Sequence, residues 1–287
     1  MPSVRQIRGR IRSVRNTSRV TSAMQMVAAS KMRRAQDRVV ASRPYAQKLR
    51  AVLSNLSGHV GSGESAHPLL EVRPVKKVLL LQITPDRGLA GGLPSNINRA
   101  SIRFMLAQEA SASVITVGRK GRDFMVRAGR DVQATFDSLG DAPTMAGVLP
   151  ITALITRLYT EGEVDQVHIA YTRYINTLVQ EPAVTQLLPI TAGDLEEPGA
   201  PVEYEYEPDV DAVLGVLLPR FVDMQVYQAV LESNASEQSA RMVAMRNATD
   251  AAEEMIESLT LELNKARQAM ITAELLDLVG GVAALEG

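Results

Sequence analysis

The sequence predicts an α/β domain carried on a long antiparallel coiled coil, and three observations support that prediction. Apolar and small residues recur at alternating steps of three and four at both ends of the chain. Between the ends, short apolar runs alternate with helical patterns. Glycine- and proline-bearing stretches set the middle apart, with Gly58, Gly61, Ser62 and Gly63 before it and Pro198, Gly199 and Pro201 near its end.

Residues 1–57 read as the first helix. Its seam runs Ile7, Ile11, Val14, Ser18, Thr21, Gln25, Ala28, Met32, Ala35, Val39, Ser42, Ala46, Leu49, Leu53 and Leu56, and no proline interrupts residues 3–43. From Ser18 to Ala28 the seam is small or polar where a free-standing coiled coil would carry Leu or Ile, so this stretch needs support from outside. Residues 209–287 read as the return helix, with a seam of Leu231, Ala235, Gln238, Met242, Met245, Thr249, Ala252, Ile256, Leu259, Leu263, Ala266, Met270 and Ala273. At 1.5 Å per residue that helix would be on the order of 110 Å long, beyond any single compact core. The ends can meet only if the chain leaves along one helix, folds the middle and returns along the other. Pro219 is expected to kink the return helix or to mark its start.

The middle, residues 75–207, reads as a small Rossmann-like, doubly wound domain. Strands are expected over 78–84, 113–117, 132–136 and 164–174, helices over 91–110, 123–128 and 144–160, and an antiparallel or edge strand over 184–190. The acidic run Glu203, Glu205, Glu207, Asp209 and Asp211 alternates as an edge strand would and then meets a helix start, where negative charge suits the dipole.

Composition bounds the rest. The chain has 287 residues, 46% of them hydrophobic and 4% aromatic, with no tryptophan and a formal net charge of -1. Such a balance fits one modest core plus the helical pair. Absence of cysteine excludes disulfides, zinc thiolate sites and cysteine nucleophiles. No run of about 18 apolar residues occurs, and the first thirty residues lack an apolar signal core, so neither a membrane span nor a secretory signal is expected. An Arg-rich, acid-poor start shares features with a mitochondrial transit peptide, but the heptad begins at Ile7 and continues without a cleavage-like break.

The near-zero charge hides an asymmetry: residues 1–50 carry +12 and the remainder -13. Arg5, Arg8, Arg12, Arg15 and Arg19 step by three and four, which places them in one stripe on a helix face. Two readings stand, a solvated face or a surface for an acidic partner or nucleic acid.

Motifs for catalysis are weak. The turn over residues 85–96 is rich in glycine and feeds a helix, yet it lacks the Lys-Ser or Lys-Thr of a P-loop, and Gly88, Gly91 and Gly92 miss the dinucleotide spacing. A structural tight turn is the better reading. Gly118, Arg119, Lys120 and Gly121 could clamp phosphate, but equally form a basic surface turn. His59, His67 and His168 are isolated, no Gly-x-Ser-x-Gly elbow occurs, and Asp86 is read as closing an Asx turn.

Residues 16–36, NTSRVTSAMQMVAASKMRRAQ, and the blocks SEQSARMVAMRNATD (236–250) and LNKARQAMITAEL (263–275) resemble the end helices of the gamma subunit of F-type ATP synthase. TPDRGLAGGL (84–93), VGRKG (117–121) and QEP (180–182) are similar to its middle domain. The resemblance spans essentially the whole chain and implies a non-catalytic rotor. In that family the coiled coil stands inside a ring of alpha and beta subunits and the α/β domain contacts the epsilon subunit and the c-ring. Proton-driven ring rotation turns the shaft, and the chemistry belongs to the beta subunits. No cofactor or metal is implied for this chain.

By motif match, Met24, Lys31, Arg33 and Arg34 fall near the beta-subunit levers, and the stripe containing Arg8 and Arg12 would face acidic lever segments. Arg267, Gln268, Thr272 and Glu274 fall where the shaft meets the catch loops, and Leu275, Leu276, Leu278 and Val279 match the tip that spins in an apolar bearing. The cysteine-bearing insertion of chloroplast relatives is missing. The implied location is the cytoplasmic side of a bacterial inner membrane, peripheral and attached through the complex.

Two other functions fit these residues less well. A nucleic-acid-binding arm would interleave aromatics with its cations, and none lies between Arg5 and Lys31. A nucleotide-dependent enzyme would need a base, nucleophile or phosphate lysine beside the turn at Gly88 to Ser95, and none stands there.

Overall fold

The computed structural model describes residues 3–60, 67–137, 139–191, 207 and 209–285. Gly61, Ser62, Gly63, Pro198, Gly199, Pro201, Glu203 and Glu205 lie outside the described residues, so the edge strand expected over the acidic run does too.

Helix α1 runs Val4–Val60, with Pro44 accommodated inside it. Ser3 and Gln6 close a reciprocal capping box at its start: Gln6 N donates to Ser3 Oγ at 3.3 Å and Ser3 N to Gln6 Oε1 at 2.9 Å. A short 3-10 turn, Pro68–Leu70, follows, which the sequence pattern did not indicate. Then come β1 (Lys77–Ile83), α2 (Leu93–Ala107), β2 (Ser111–Val117), α3 (Arg119–Arg127), β3 (Val132–Phe136), α4 (Met145–Thr160), β4 (Gln166–Tyr174) and β5 (Gln180–Leu188). Helix α5 spans Val210–Leu285 and carries Pro219 within it, so that proline does not mark the helix start. The start is set by Asp209, whose Oδ1 accepts the Ala212 amide at 2.8 Å.

The strands form one sheet in the order β3-β2-β1-β4-β5. The first four run parallel and β5 pairs antiparallel with β4 at the edge. Edge position is what lets β5 contain Pro182, which has no amide to donate to a second neighbour. β5 begins and ends earlier than the apolar run at 184–190 suggested, because pairing with β4 extends down to Gln180. Likewise α3 starts four residues ahead of the expected 123, for reasons given below.

The chain separates into two compact units, Met1–Ala28 with Met242–Gly287, and Ala29–Arg241. In the larger unit the sheet is covered on both faces. Leu80, Val114 and Ala170 face Ile97 and Met105 of α2 and Met125 of α3. On the opposite face Leu79, Leu81 and Ile115 meet Val148, Ile151 and Ile155 of α4, together with Leu49, Leu53 and Leu56 of α1 and Leu218, Phe221 and Val222 of α5. Continuous burial of β1 fits a parallel strand enclosed on both sides.

In the smaller unit α1 and α5 are antiparallel. Ile7 and Ile11 pack on Leu259, flanked by Val14, Ile256, Leu263 and Ala266. Further along, in the small and polar part of the seam, the Thr21 and Thr249 hydroxyls share a buried hydrogen bond of 2.7 Å. The seam ends sooner than its heptad. Met270 is 46% exposed and Ala273 is exposed, because α1 begins at Val4 and no described helix reaches past Ala266 to cover them.

Candidate functional site

Two surfaces deserve a chemical reading, and the first is the carboxyl edge of the parallel strands. In doubly wound sheets ligands bind there, where the strand order reverses, here between β1 and β4. In this chain the place is filled from within. The Thr172 amide at the end of β4 donates to Ser233 Oγ at 3.2 Å, and its carbonyl accepts from Ser236 Oγ at 3.1 Å, both on α5. What remains is a cleft of about 60 Å³, lined by Thr84, Asp86, Asp137, Thr172, Asn234 and Glu237 among others. That is room for water, well below the ~300 Å³ at which ligand pockets begin.

The glycine-bearing turn at the start of α3 has no donors to spare. Gly118 has φ +97°, and any Cβ there would overlap the Thr84 carbonyl oxygen, while at Gly121 a Cβ would lie 2.6 Å from Gln82 Oε1. Glycine is thus required for α3 to press against the end of β1. The amides of the first turn of α3 are all taken by the protein: Gly118 N by the Phe136 carbonyl at 2.8 Å, Arg119 N by Asp86 Oδ1 at 3.0 Å, Lys120 N by the Pro85 carbonyl at 3.1 Å and Gly121 N by Thr84 Oγ1 at 2.8 Å. These long-range acceptors extend the helix back to Arg119. Asp86, expected from the sequence to act within its own turn, also reaches across to α3. A phosphate clamp needs free amides, and this turn offers none.

Carboxylates in and near the cleft are shifted in opposite directions. Burial raises the Glu237 carboxyl above its ordinary range, and Arg241, whose Nη2 lies 2.6 Å away, opposes the shift. Burial likewise raises Glu232. Asp141 is lowered, mainly by the hydrogen bond from Lys31 at 2.7 Å. His168 lies tilted against Phe104, ring centroids 4.7 Å apart, and its pKa is lowered by burial, and His67 caps the 3-10 turn. Among the described residues no three His, Cys, Asp or Glu side chains stand close enough to hold a metal ion.

The second surface lies on the helices. Arg5, Arg8, Arg12, Arg15 and Arg19 are all exposed, rotated roughly 100° from the buried seam, and none has an ion-pair partner among the described residues. Met24 is half-buried, Arg33 is exposed, and Arg34 bonds only to Ser30 one turn back. Lys31 is different: it pairs with Asp141 at 2.7 Å, a partner that no sequence pattern marks. Arg267, Gln268, Thr272 and Glu274 are exposed on α5. Leu275, Leu276, Leu278 and Val279 follow, each more than half exposed, an apolar concentration unusual for a surface left to water. Sequence reasoning missed Asp141, Ser239 and Arg241. The serines at positions 233, 236 and 239, three apart on one helix face, were a signal that α5 approaches other backbone closely.

An α/β domain whose ligand crevice is closed by its own helix, joined to a helix pair with an unpaired cationic stripe and an uncovered apolar end, defines a class of protein that works through surfaces shown to partner chains. The chain belongs to the ATP synthase gamma-chain family. The family model described as ATP synthase matches residues 3–285. An ATP synthase gamma chain of Dehalococcoides mccartyi is 55% identical over 285 residues, 99% of this chain and 100% of that protein. One of Chloroflexus aurantiacus is 49% identical over 99% of each. A chain in the central stalk and c-ring structure of the Tetrahymena thermophila mitochondrial ATP synthase aligns with a TM-score of 0.60 at 27% identity, covering 80% of this chain and 99% of that one. A chain of the Euglena gracilis mitochondrial ATP synthase has the same fold, with a TM-score of 0.68 at 20% identity over 98% and 94% of the two chains.

Proposed function

We propose that this chain is the central rotor shaft of a proton-translocating F-type ATP synthase, a non-catalytic subunit that carries c-ring rotation to the alpha and beta subunits. The observation that carries the reading is the crevice at β1 and β4, occupied by α5 where other doubly wound sheets bind their ligands. Residues 1–57 and 209–287 serve as the shaft and 75–207 as the foot, which meets the epsilon subunit and the c-ring. Arg8, Arg12, Met24, Lys31, Arg33 and Arg34 face the beta-subunit levers. Arg267, Gln268, Thr272 and Glu274 engage the catch loops, and Leu275, Leu276, Leu278 and Val279 turn in an apolar bearing.

Physical chemistry supports these roles. Like charges along Arg5 to Arg19 repel one another, and an approaching acidic surface relieves that repulsion without a lasting bond, which suits a contact that must be made and broken each turn. An exposed apolar tip suits a bearing because apolar contact has no preferred direction. No helix of the described residues is long and apolar enough to cross a membrane, so attachment on the cytoplasmic side of the bacterial inner membrane is through the other subunits. The test is ATP hydrolysis: the isolated chain should show none, and its addition to alpha and beta subunits should produce sustained multi-site turnover. ATPase activity that stays with the chain after all beta subunit is removed would overturn the proposal.

A further inference from the structure

We propose that the three loops at the carboxyl edge of the sheet form a torque clamp, gripping the chain's own helices where other α/β domains would grip a ligand and passing twist from the α/β domain into the helix pair. This rests on the rotor reading above. Each loop is tied to the helices by directional bonds. The turn after β1 offers the Gly88 carbonyl to Arg241 Nη2 at 3.2 Å. The β3–α4 loop offers the Asp141 carbonyl to Arg38 Nη1 at 2.9 Å, and its carboxylate to Lys31 at 2.7 Å and Gln238 Nε2 at 3.4 Å. The β4–β5 hairpin offers the Thr177 carbonyl to Ser239 Oγ at 2.7 Å, and the Tyr174 hydroxyl accepts from Gln36 Nε2.

These attachments fall within two turns of α1 and one turn of α5, and Ser233, Asn234 and Ser236 add contacts in the preceding one to two turns of α5. On α5, side chains at 238, 239 and 241 point in directions spread over roughly 160°, so the helix is held from more than one side. Apolar packing below this level resists separation of helix and sheet and, being interdigitated, also resists twist, and the directional bonds stiffen the joint further. Hydrogen bonds have narrow limits of length and angle, so several of them at different azimuths fix rotation. The turn held by Arg241 also contains Leu89 at φ 64°, a left-handed conformation that a leucine adopts only when its surroundings impose it.

The experiment uses the complex assembled with alpha and beta subunits. Since the chain has no cysteine, Glu109→Cys on the exposed end of the α/β domain takes a single bead or rod label. Angular fluctuation of the label is recorded while the catalytic ring is stalled. Arg38→Gln, Ser239→Ala and Arg241→Lys together cut one bond to each loop while keeping the charge beside Glu237. Angular variance should rise by about two-fold or more. ATP hydrolysis should stay within about two-fold, since no residue assigned to the beta-subunit contacts is touched. Thr260→Ala, which removes an exposed hydroxyl bond within α5 that involves none of the three loops, should change nothing. Unchanged variance in the triple variant, with or without a lower melting temperature, overturns the clamp. Should that variant fail to assemble, Ser239→Ala alone is read in the same way, with a smaller widening expected and none overturning the idea. A wild-type complex that turns over ATP without rotating its label overturns the rotor reading itself, a different failure from an unwidened variant.

Discussion

Replacing Leu259 or Leu261 by alanine makes the same chemical change two residues apart on α5, with opposite expected outcomes. Leu259 is 5% exposed and packs on Ile7 and Ile11, whereas Leu261 is 64% exposed. Truncating a buried leucine removes its transfer free energy and leaves a cavity, at about 2–5 kcal/mol in well-packed cores. The seam has only two helices around it, and one side of the site can collapse or admit solvent, so we place Leu259→Ala at the lower end, about 2–3 kcal/mol. Leu261→Ala buries nothing less, and alanine is the better helix former, so the change should lie within about 0.5 kcal/mol of zero. Urea unfolding of the purified chain, followed by loss of helicity, measures both. The pairing itself is tested by combining Leu259→Ala with Ile7→Val, where contact predicts a coupling of at least about 0.5 kcal/mol. Equal losses for the two alanine variants, or strict additivity with Ile7→Val, would refute the antiparallel register.

Three further predictions follow from named contacts. Gly118→Ala should cost about 3 kcal/mol or more, through overlap with the Thr84 carbonyl and a left-handed φ, while Gly88→Ala, with open space around it, should be near neutral; thermal unfolding distinguishes them. Asp141 has a lowered folded-state pKa, so its contribution is present above the ordinary aspartate value and is lost as pH falls through the folded value. With its side chain 52% exposed, that contribution should be a few tenths of a kcal/mol, and Asp141→Asn should remove this part of the acid dependence of stability. In the assembled complex Arg8→Glu with Arg12→Glu should leave assembly intact, because Ile7 and Ile11 are untouched, but lower proton-driven ATP synthesis more than hydrolysis. The deficit should shrink as salt screens contacts over about 8 to 10 Å. Unchanged synthesis at every salt concentration would leave the stripe a solvated face.

Periodicity in the amino-acid sequence determined the two helices and most of their shared seam, because a side chain's place on a helix face depends only on its spacing. Ile7, Ile11, Ile256 and Leu259 are legible for that reason, and so are the strand centres at Leu80, Val114 and Ile169, whose apolar runs are local. Where the seam stops was decided by tertiary structure: Met270 continues the heptad, but a knob is buried only if a partner helix reaches it. The glycines at 118 and 121 show the same division. Their presence marks a tight approach, yet whether the amides beside them are free for phosphate depends on Thr84, Asp86 and Phe136, brought in from elsewhere in the chain. Lys31 is legible as a cation, but its ion pair with Asp141 spans 110 positions. Closure of the crevice by Ser233 and Ser236 was likewise decided only when α5 came to lie against the sheet, since a hydrogen bond is set by distance in space and the sequence fixes only distance along the chain.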